Sequence, residues 1–149
     1  MSNLFFSADL HLGHAKIIDH CRRPFDSVGQ MNECLVERWN ETVAPGDTVY
    51  LLGDVAYKAD DADSLLDRMH GNIRLVRGDH DKNPHTTKGR AINLARFEQM
   101  IPFGTEIEMA GQLVVLCHFP MDSWEGKYEG SFMLHGHSHG KSKHVTRRL

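Results

Sequence analysis

The chain has 149 residues, 40% of them hydrophobic and 25% charged, enough for one domain with a sizeable core. Its formal net charge of −3 argues against broad electrostatic capture of nucleic acid or of an anionic membrane. No apolar run approaches the roughly 20 residues that a membrane span needs, and no basic segment leads into a signal-type apolar stretch. Cys21, Cys34 and Cys117 are odd in number and show no paired spacing, which fits reduced thiols better than a disulfide framework. These properties predict a single soluble, cytoplasmic domain over residues 1–149.

In chain order, Asn3 to Ser7 reads as a short strand that ends in Asp9-Leu10-His11. Ala15 to Cys21 reads as one or two helical turns. After Pro24, Asp26 or Ser27 can cap a helix whose apolar positions Met31, Leu35, Trp39 and Val43 recur every four residues. Pro45-Gly46 marks a turn, and Thr48 to Leu52 is a strand running into Gly53-Asp54. A second helix is expected over Asp61 to Met69, with Leu65, Leu66 and Met69 buried. Ile73 to Val76 is the third strand and ends at Arg77-Gly78-Asp79-His80-Asp81; Lys82 to Lys88 is loop. Ala91 to Met100 reads as a helix closed by Pro102. Thr105 to Met109 and Gln112 to Cys117 form a hairpin around Ala110-Gly111 and deliver His118. Phe132 to Leu134 is a last strand before Gly136-His137-Ser138-His139. Strand–helix alternation followed by hairpins predicts an α/β domain with a mixed sheet and helices outside it. Ligand sites in such folds gather beyond the carboxyl ends of the strands, where every one of these motifs falls.

Eleven histidines stand out in the composition. His20, His70, His85 and His144 lie in polar, turn-like surroundings and read as surface residues; the others fall in or beside the motifs. Aspartate oxygens and neutral imidazole nitrogens together suit manganese, zinc, iron, cobalt or nickel rather than calcium or a cysteine-rich structural zinc site. In extended backbone the D-x-H spacing puts Asp9 and His11 on one face, and His137 and His139 share the same offset. The candidate ligands outnumber what one ion uses, so two ions sharing a bridging carboxylate, roughly 3.5–4 Å apart, fit better. Alone, Gly53-Asp54 is a common turn, and Asp9 with His11 reads equally as a loop cap and a surface histidine. It is the ordered set that points to metal.

That order, D-x-H, G-D, G-D-H-D, H, G-H-S-H from Asp9 to His139, resembles the calcineurin-like metallophosphoesterases. The resemblance implies a four-layer α/β/β/α sandwich of two mixed sheets flanked by helices, with a dinuclear site at the strand ends. It implies that Asp9, His11 and His139 hold one metal, that Asp54 bridges, and that Asp79, His118 and His137 hold the other. His80 would lie beside the substrate phosphate with Asp81 orienting it, both catalytic. A hydroxide shared by the two cations would attack phosphorus in line, and His80 could stabilise the developing charge or protonate the leaving oxygen. Manganese is the first choice of metal. His14 is a candidate substrate contact. Arg22 and Arg23 could clamp phosphate bidentately or form a solvated pair.

The chain departs from the family pattern at Asp79, where asparagine is usual. Aspartate still ligates but cannot donate a hydrogen bond, and it adds a negative charge. With two divalent cations and a bridging hydroxide, that charge takes the formal sum of the site from one positive to zero. The change penalises a doubly charged monoester more than a singly charged diester. Family members acting on nucleic acid or protein generally carry caps or insertions that this chain lacks room for. The expected substrate is therefore a small phosphodiester, with 2′,3′-cyclic nucleotides as a candidate. A phosphomonoesterase is the alternative within the family. A non-catalytic binding scaffold of the same fold, as in the retromer subunit, is the alternative outside enzymology, and the presence of His80 with a full ligand set argues against it. The basic stretch Lys141 to Arg148 could touch a phosphate-bearing partner or be solvated. Relatives usually continue past G-H-x-H into another strand, so the edge of the second sheet is expected to be short, completed by a partner, or missing through truncation.

Overall fold

The computed structural model describes residues 2–57, 62–81 and 92–142. The expected loop at Lys82–Lys88, His85, His144 and the basic residues Lys143, Arg147 and Arg148 lie outside these. The architecture is α/β with two sheets. The first consists of β1 (Leu4–Ser7), β2 (Thr48–Leu51), β3 (Asn72–Val76) and β4 (Gln99–Ile101), side by side in that order and all parallel. The second consists of β5 (Gly104–Met109), β6 (Gln112–Cys117) and β7 (Phe132–His135). There β5 pairs antiparallel with β6 through the expected hairpin, and β7 pairs parallel with β6. Only this second sheet is mixed. Among the described residues three helices precede β3: α1 (Ala15–Cys21), α2 (Val28–Thr42) and α3 (Ala62–Asp67).

Alternation along the parallel strands divides the core in two. Val49, Leu51, Ile73 and Leu75 face one way and pack with Val36, Trp39 and Val43 of the α2 segment and with Leu65, Leu66 and Met69. Tyr50, Leu52, Val76 and Ile101 face the other way and meet Val114 and Leu116 of the second sheet. Consecutive parallel strands joined by crossovers of one hand put their helices on one face, which leaves the opposite face free for sheet-on-sheet packing. Among the described residues no helix follows β4. The outer side of β6 is approached by the loop before β7, where a Cβ on Gly126 would lie 3.3 Å from Leu113 and 3.1 Å from Ser131.

Local signals account for most elements. The Ser27 hydroxyl caps α2 by accepting from the Gln30 amide at 3.2 Å. Met31, Trp39 and Val43 of the predicted stripe are buried, and Leu35 packs against the core cluster that holds Trp39 and Val43. The main departure is the helix expected over Ala91 to Met100. Its described part is a single 3-10 turn, Leu94–Arg96, followed by β4. The free edge of β3 explains this: Arg74, Leu75 and Val76 pair with Gln99, Met100 and Ile101, and the Glu98 amide donates to the Ile73 carbonyl at 2.8 Å. Apolar residues at helical spacing could not compete with an open sheet edge.

Candidate metal centre

The carboxyl ends of β1, β2 and β3 and those of β6 and β7 open toward one place, and the five motifs meet there. The Asp9–Leu12 loop runs beside Gly53–Ala56 as an extension of the sheet. Asp9 N donates to Gly53 O at 3.0 Å, His11 N to Asp54 O at 3.0 Å and Leu12 N to Val55 O at 2.9 Å. Five residues of the cluster adopt left-handed backbone: Asp9 (φ +55°), His11 (+52°), Asp54 (+54°), His137 (+65°) and His139 (+46°). Such conformations cost non-glycine residues roughly 1–3 kcal/mol each and persist where the surroundings over-determine them. Glycines allow the loops to approach this closely. A Cβ on Gly78 would lie 2.4 Å from Asp54 Oδ1, and one on Gly53 would lie 2.5 Å from His118 Nδ1.

Among the described residues three groups of donor atoms lie close enough together to hold an ion, the third being His11, Asp54 and His80, and two of them share no residue. Asp9, His11 and His139 offer nitrogen and oxygen atoms all within 4.8 Å of one another, as do Asp54, Asp79, His118 and His137. Asp54 stands between them. Its Oδ2 is 3.5 Å from His11 Nε2, and its Oδ1 is 3.4 Å from His118 Nε2. His118 is wholly buried, and its Nδ1 lies 2.7 Å from the Leu52 carbonyl. A carbonyl only accepts, so Nδ1 carries the hydrogen. Its Nε2 faces Asp54 Oδ1 at 3.4 Å and Asp79 Oδ1 at 3.2 Å. Acceptors converging in this way need a cation or a proton among them. His11 Nε2 is buried and, among the described residues, has no hydrogen-bond partner. The donor set, the orphaned nitrogen and the split carboxylate all fit divalent cations of the manganese-to-zinc series.

Electrostatics point the same way. The rings of His14, His80 and His139 lie 5.2, 5.4 and 5.1 Å from that of His11. Burial, and then the charge of those neighbours and of Arg23, drives the His11 pKa down to about 3, so the ring is neutral at physiological pH. Burial also lowers His14, with His80 adding to the effect. Asp54 is raised by burial, although the His80 amide donates to it at 3.0 Å. Burial acts to raise Asp79, but His80 and the contact with His118 outweigh it and hold the carboxylate below its ordinary range.

The seven predicted ligands therefore come together, with His80 at the rim: its Nε2 is 3.8 Å from Asp54 Oδ2 and 4.0 Å from Asp79 Oδ2. Asp81 departs from its expected part. Its buried carboxylate accepts from the amides of Asp54 (2.7 Å), Val55 (2.9 Å) and Gly78 (2.9 Å), and among the described residues it makes no hydrogen bond to the His80 ring. It ties the two ligand loops together rather than orienting His80. Arg22 is exposed and does not line the cleft, so it is not brought to the site. Arg23 is turned inward onto backbone carbonyls rather than solvated. His14 lines the cleft with Nδ1 3.2 Å from His11 Nδ1.

The cleft encloses about 430 Å³ and continues past the ligands to Ile17, His20, Cys21 and Lys141. His20, read from the sequence as surface, is exposed and also lines the cleft. Sequence reasoning also passed over Tyr57, whose ring stacks on His14 at 4.2 Å and meets His80 edge-on at 5.0 Å. Its place three residues beyond Asp54, in a loop after a strand, was the available signal.

No protein-family model matches the chain. It is 34% identical over 145 residues to the uncharacterized protein MJ1445 of Methanocaldococcus jannaschii, covering 93% of this chain and 70% of that protein. The chain belongs to the family of that archaeal protein. It is also 32% identical over 166 residues to the gene 66 protein of Mycobacterium phage D29, covering 95% of this chain and 80% of the phage protein. The corresponding protein of phage L5 is 28% identical, with 99% and 84% covered. Among solved structures it is similar to the protein of unknown function AQ665 from Aquifex aeolicus, with a TM-score of 0.64 and 26% identity. That match covers 85% of this chain, which spans 66% of the Aquifex chain's length.

Proposed function

We propose that the protein is a dinuclear-metal-dependent phosphoesterase of the calcineurin-like type that hydrolyses small phosphodiesters. The observation that carries this reading is the placement of Asp54, each of whose oxygens faces the histidine of a different ligand group. Two divalent cations bound there would neutralise phosphoryl oxygens and acidify a water at neutral pH. Asp9, His11 and His139 would hold one ion, Asp79, His118 and His137 the other, with Asp54 shared. His80 presents a ring that is 31% exposed at the rim of the ligands, where it can donate to a phosphoryl or leaving oxygen. Tyr57 packs against that ring and limits its rotation.

Asp79 supports the diester preference. It is 43% exposed toward the cleft and its carboxylate is held ionised, so it repels a dianion more than a monoanion. A cleft of about 430 Å³ suits a ligand of nucleotide size, and 2′,3′-cyclic nucleotides are the first class to try. We read the fold as a reduced α/β/β/α sandwich in which the loop before β7 replaces the helices expected outside the second sheet. Three free cysteines and the absence, among the described residues, of a helix long and apolar enough to cross a membrane support a cytoplasmic setting.

The test is a panel of manganese, iron, zinc, nickel and cobalt against a nitrophenyl monoester, a bis-nitrophenyl diester and a 2′,3′-cyclic nucleotide. The expected result is diester hydrolysis that a chelator abolishes. No turnover of any ester with any metal would sink the enzyme reading and leave a binding scaffold.

A further inference from the structure

We propose that Arg23 is a positioning residue that holds the Asp9–His11 loop in its ligating conformation. Its guanidinium donates from Nη2 to the Asp9 carbonyl at 2.6 Å and from Nη1 to the Leu10 carbonyl at 2.8 Å. Nη1 also lies 3.4 Å from Met31 Sδ, which anchors the fork on the buried side of α2. This inference rests on reading the site as a metal centre.

Asp9 and His11 need support from outside because both sit in left-handed backbone. Hydrogen bonds from their amides to Gly53 and Asp54 hold one side of the loop. The carbonyls of Asp9 and Leu10 face away, and the planar fork of one arginine satisfies both, a geometry that lysine cannot reproduce. The chain is shaped to deliver it. Arg22 closes α1 in left-handed backbone at φ +50°, and the Arg23 amide turns back to Ile18 O at 2.8 Å, which points the side chain at the loop.

Charge alone would argue the other way. The positive charge of Arg23 is felt at His11, where it opposes a further proton and equally opposes a bound cation. A clamp and a mere charge therefore predict opposite signs. If Arg23 acts as a clamp, Arg23→Met and Arg23→Lys both weaken one ion. If it acts only through charge, Arg23→Met tightens binding and Arg23→Lys changes nothing.

The experiment is calorimetric titration of metal-free protein with Mn(II), using His139→Ala to identify the ion held by Asp9 and His11. Thermal melts establish that each variant is folded; if Arg23→Met is not, Arg23→Lys decides. The expected result is that this ion binds roughly 10–100-fold more weakly in both variants while the other is unchanged, the usual size of an outer-sphere effect. Unchanged or tighter binding in the folded variants overturns the proposal, as does equal weakening of both ions. A wild-type protein that binds no Mn(II) is a different outcome: it removes the metal reading itself, and this inference with it.

Discussion

The two ligand groups are built differently. In the first, Asp9, His11 and His139 all sit in left-handed backbone, and His11 is 2% exposed. Amide hydrogen bonds to the β2 loop hold its Asp9–His11 segment on one side and Arg23 on the other. The second combines extremes: His118 is fully buried, whereas the side chains of Asp79 and His137 are 43% and 44% exposed. Backbone contacts therefore fix Asp9 and His11 of the first group. The second presents two of its ligands to the cleft, where a substrate would enter. Asp54 belongs to both environments.

Removing what the groups share should have the largest effect. Asp54→Ala takes away the oxygens facing His11 and His118 together. Turnover of a bis-nitrophenyl diester should drop by at least about 10³-fold, the order seen when a principal electrostatic contribution is lost, and Mn(II) binding should fall below two ions per chain. A folded Asp54→Ala that retains two ions breaks the idea of a shared ligand.

Next comes the contrast within the second group. His118→Ala leaves a void between the sheets and an unpaired Leu52 carbonyl, so the metal-free protein should lose about 2–4 kcal/mol of stability in urea. His137→Ala removes an exposed ring and should change stability by less than about 0.5 kcal/mol. Both should weaken one ion. Equal stability losses would mean that depth of burial does not separate these ligands.

The groups should also part on acidification. The folded pKa of His11 is about 3 against an ordinary 6.5, so the unfolded chain binds that proton more readily. Stability of the metal-free protein is then complete above about pH 6.5 and declines as pH falls from there toward 3. Asp79, held below its ordinary value of 3.8, contributes stability above that value and loses it only at lower pH. Between pH 6.5 and 4.5 the decline should be shallower in His11→Gln; an unchanged slope in urea melts would show that His11 is not the group responsible.

The smallest expected effect is on selectivity. Asp79→Asn removes one exposed charge, worth about 1 kcal/mol across about 4 Å in high dielectric, or about fivefold. The diester-to-monoester ratio should fall by that factor, and a constant ratio contradicts the charge argument.

Much of the site was legible because short-range spacing and strand-end position decide it. Apolar runs mark the strands that carry Asp9 and His11, or His137 and His139, but the extended backbone expected to put each pair on one face is left-handed at all four residues. What escaped was set by contacts distant in sequence. Arg23 reaches a loop 13 and 14 residues earlier, a reach that no spacing rule announces. Asp81 reads as a partner for its neighbour His80, yet amides 26 and 27 residues away capture it. The 92–101 segment has helical apolar spacing, but the unpaired edge of β3 prevailed and made β4.

The most direct test of a dinuclear hydrolytic centre is titration of metal-free protein with Mn(II) while hydrolysis of a bis-nitrophenyl diester is followed in the same samples. Two ions should bind per chain, the more weakly bound one bringing turnover as it fills. Fewer than two ions, or two ions with no hydrolysis of either a diester or a monoester, would contradict the account.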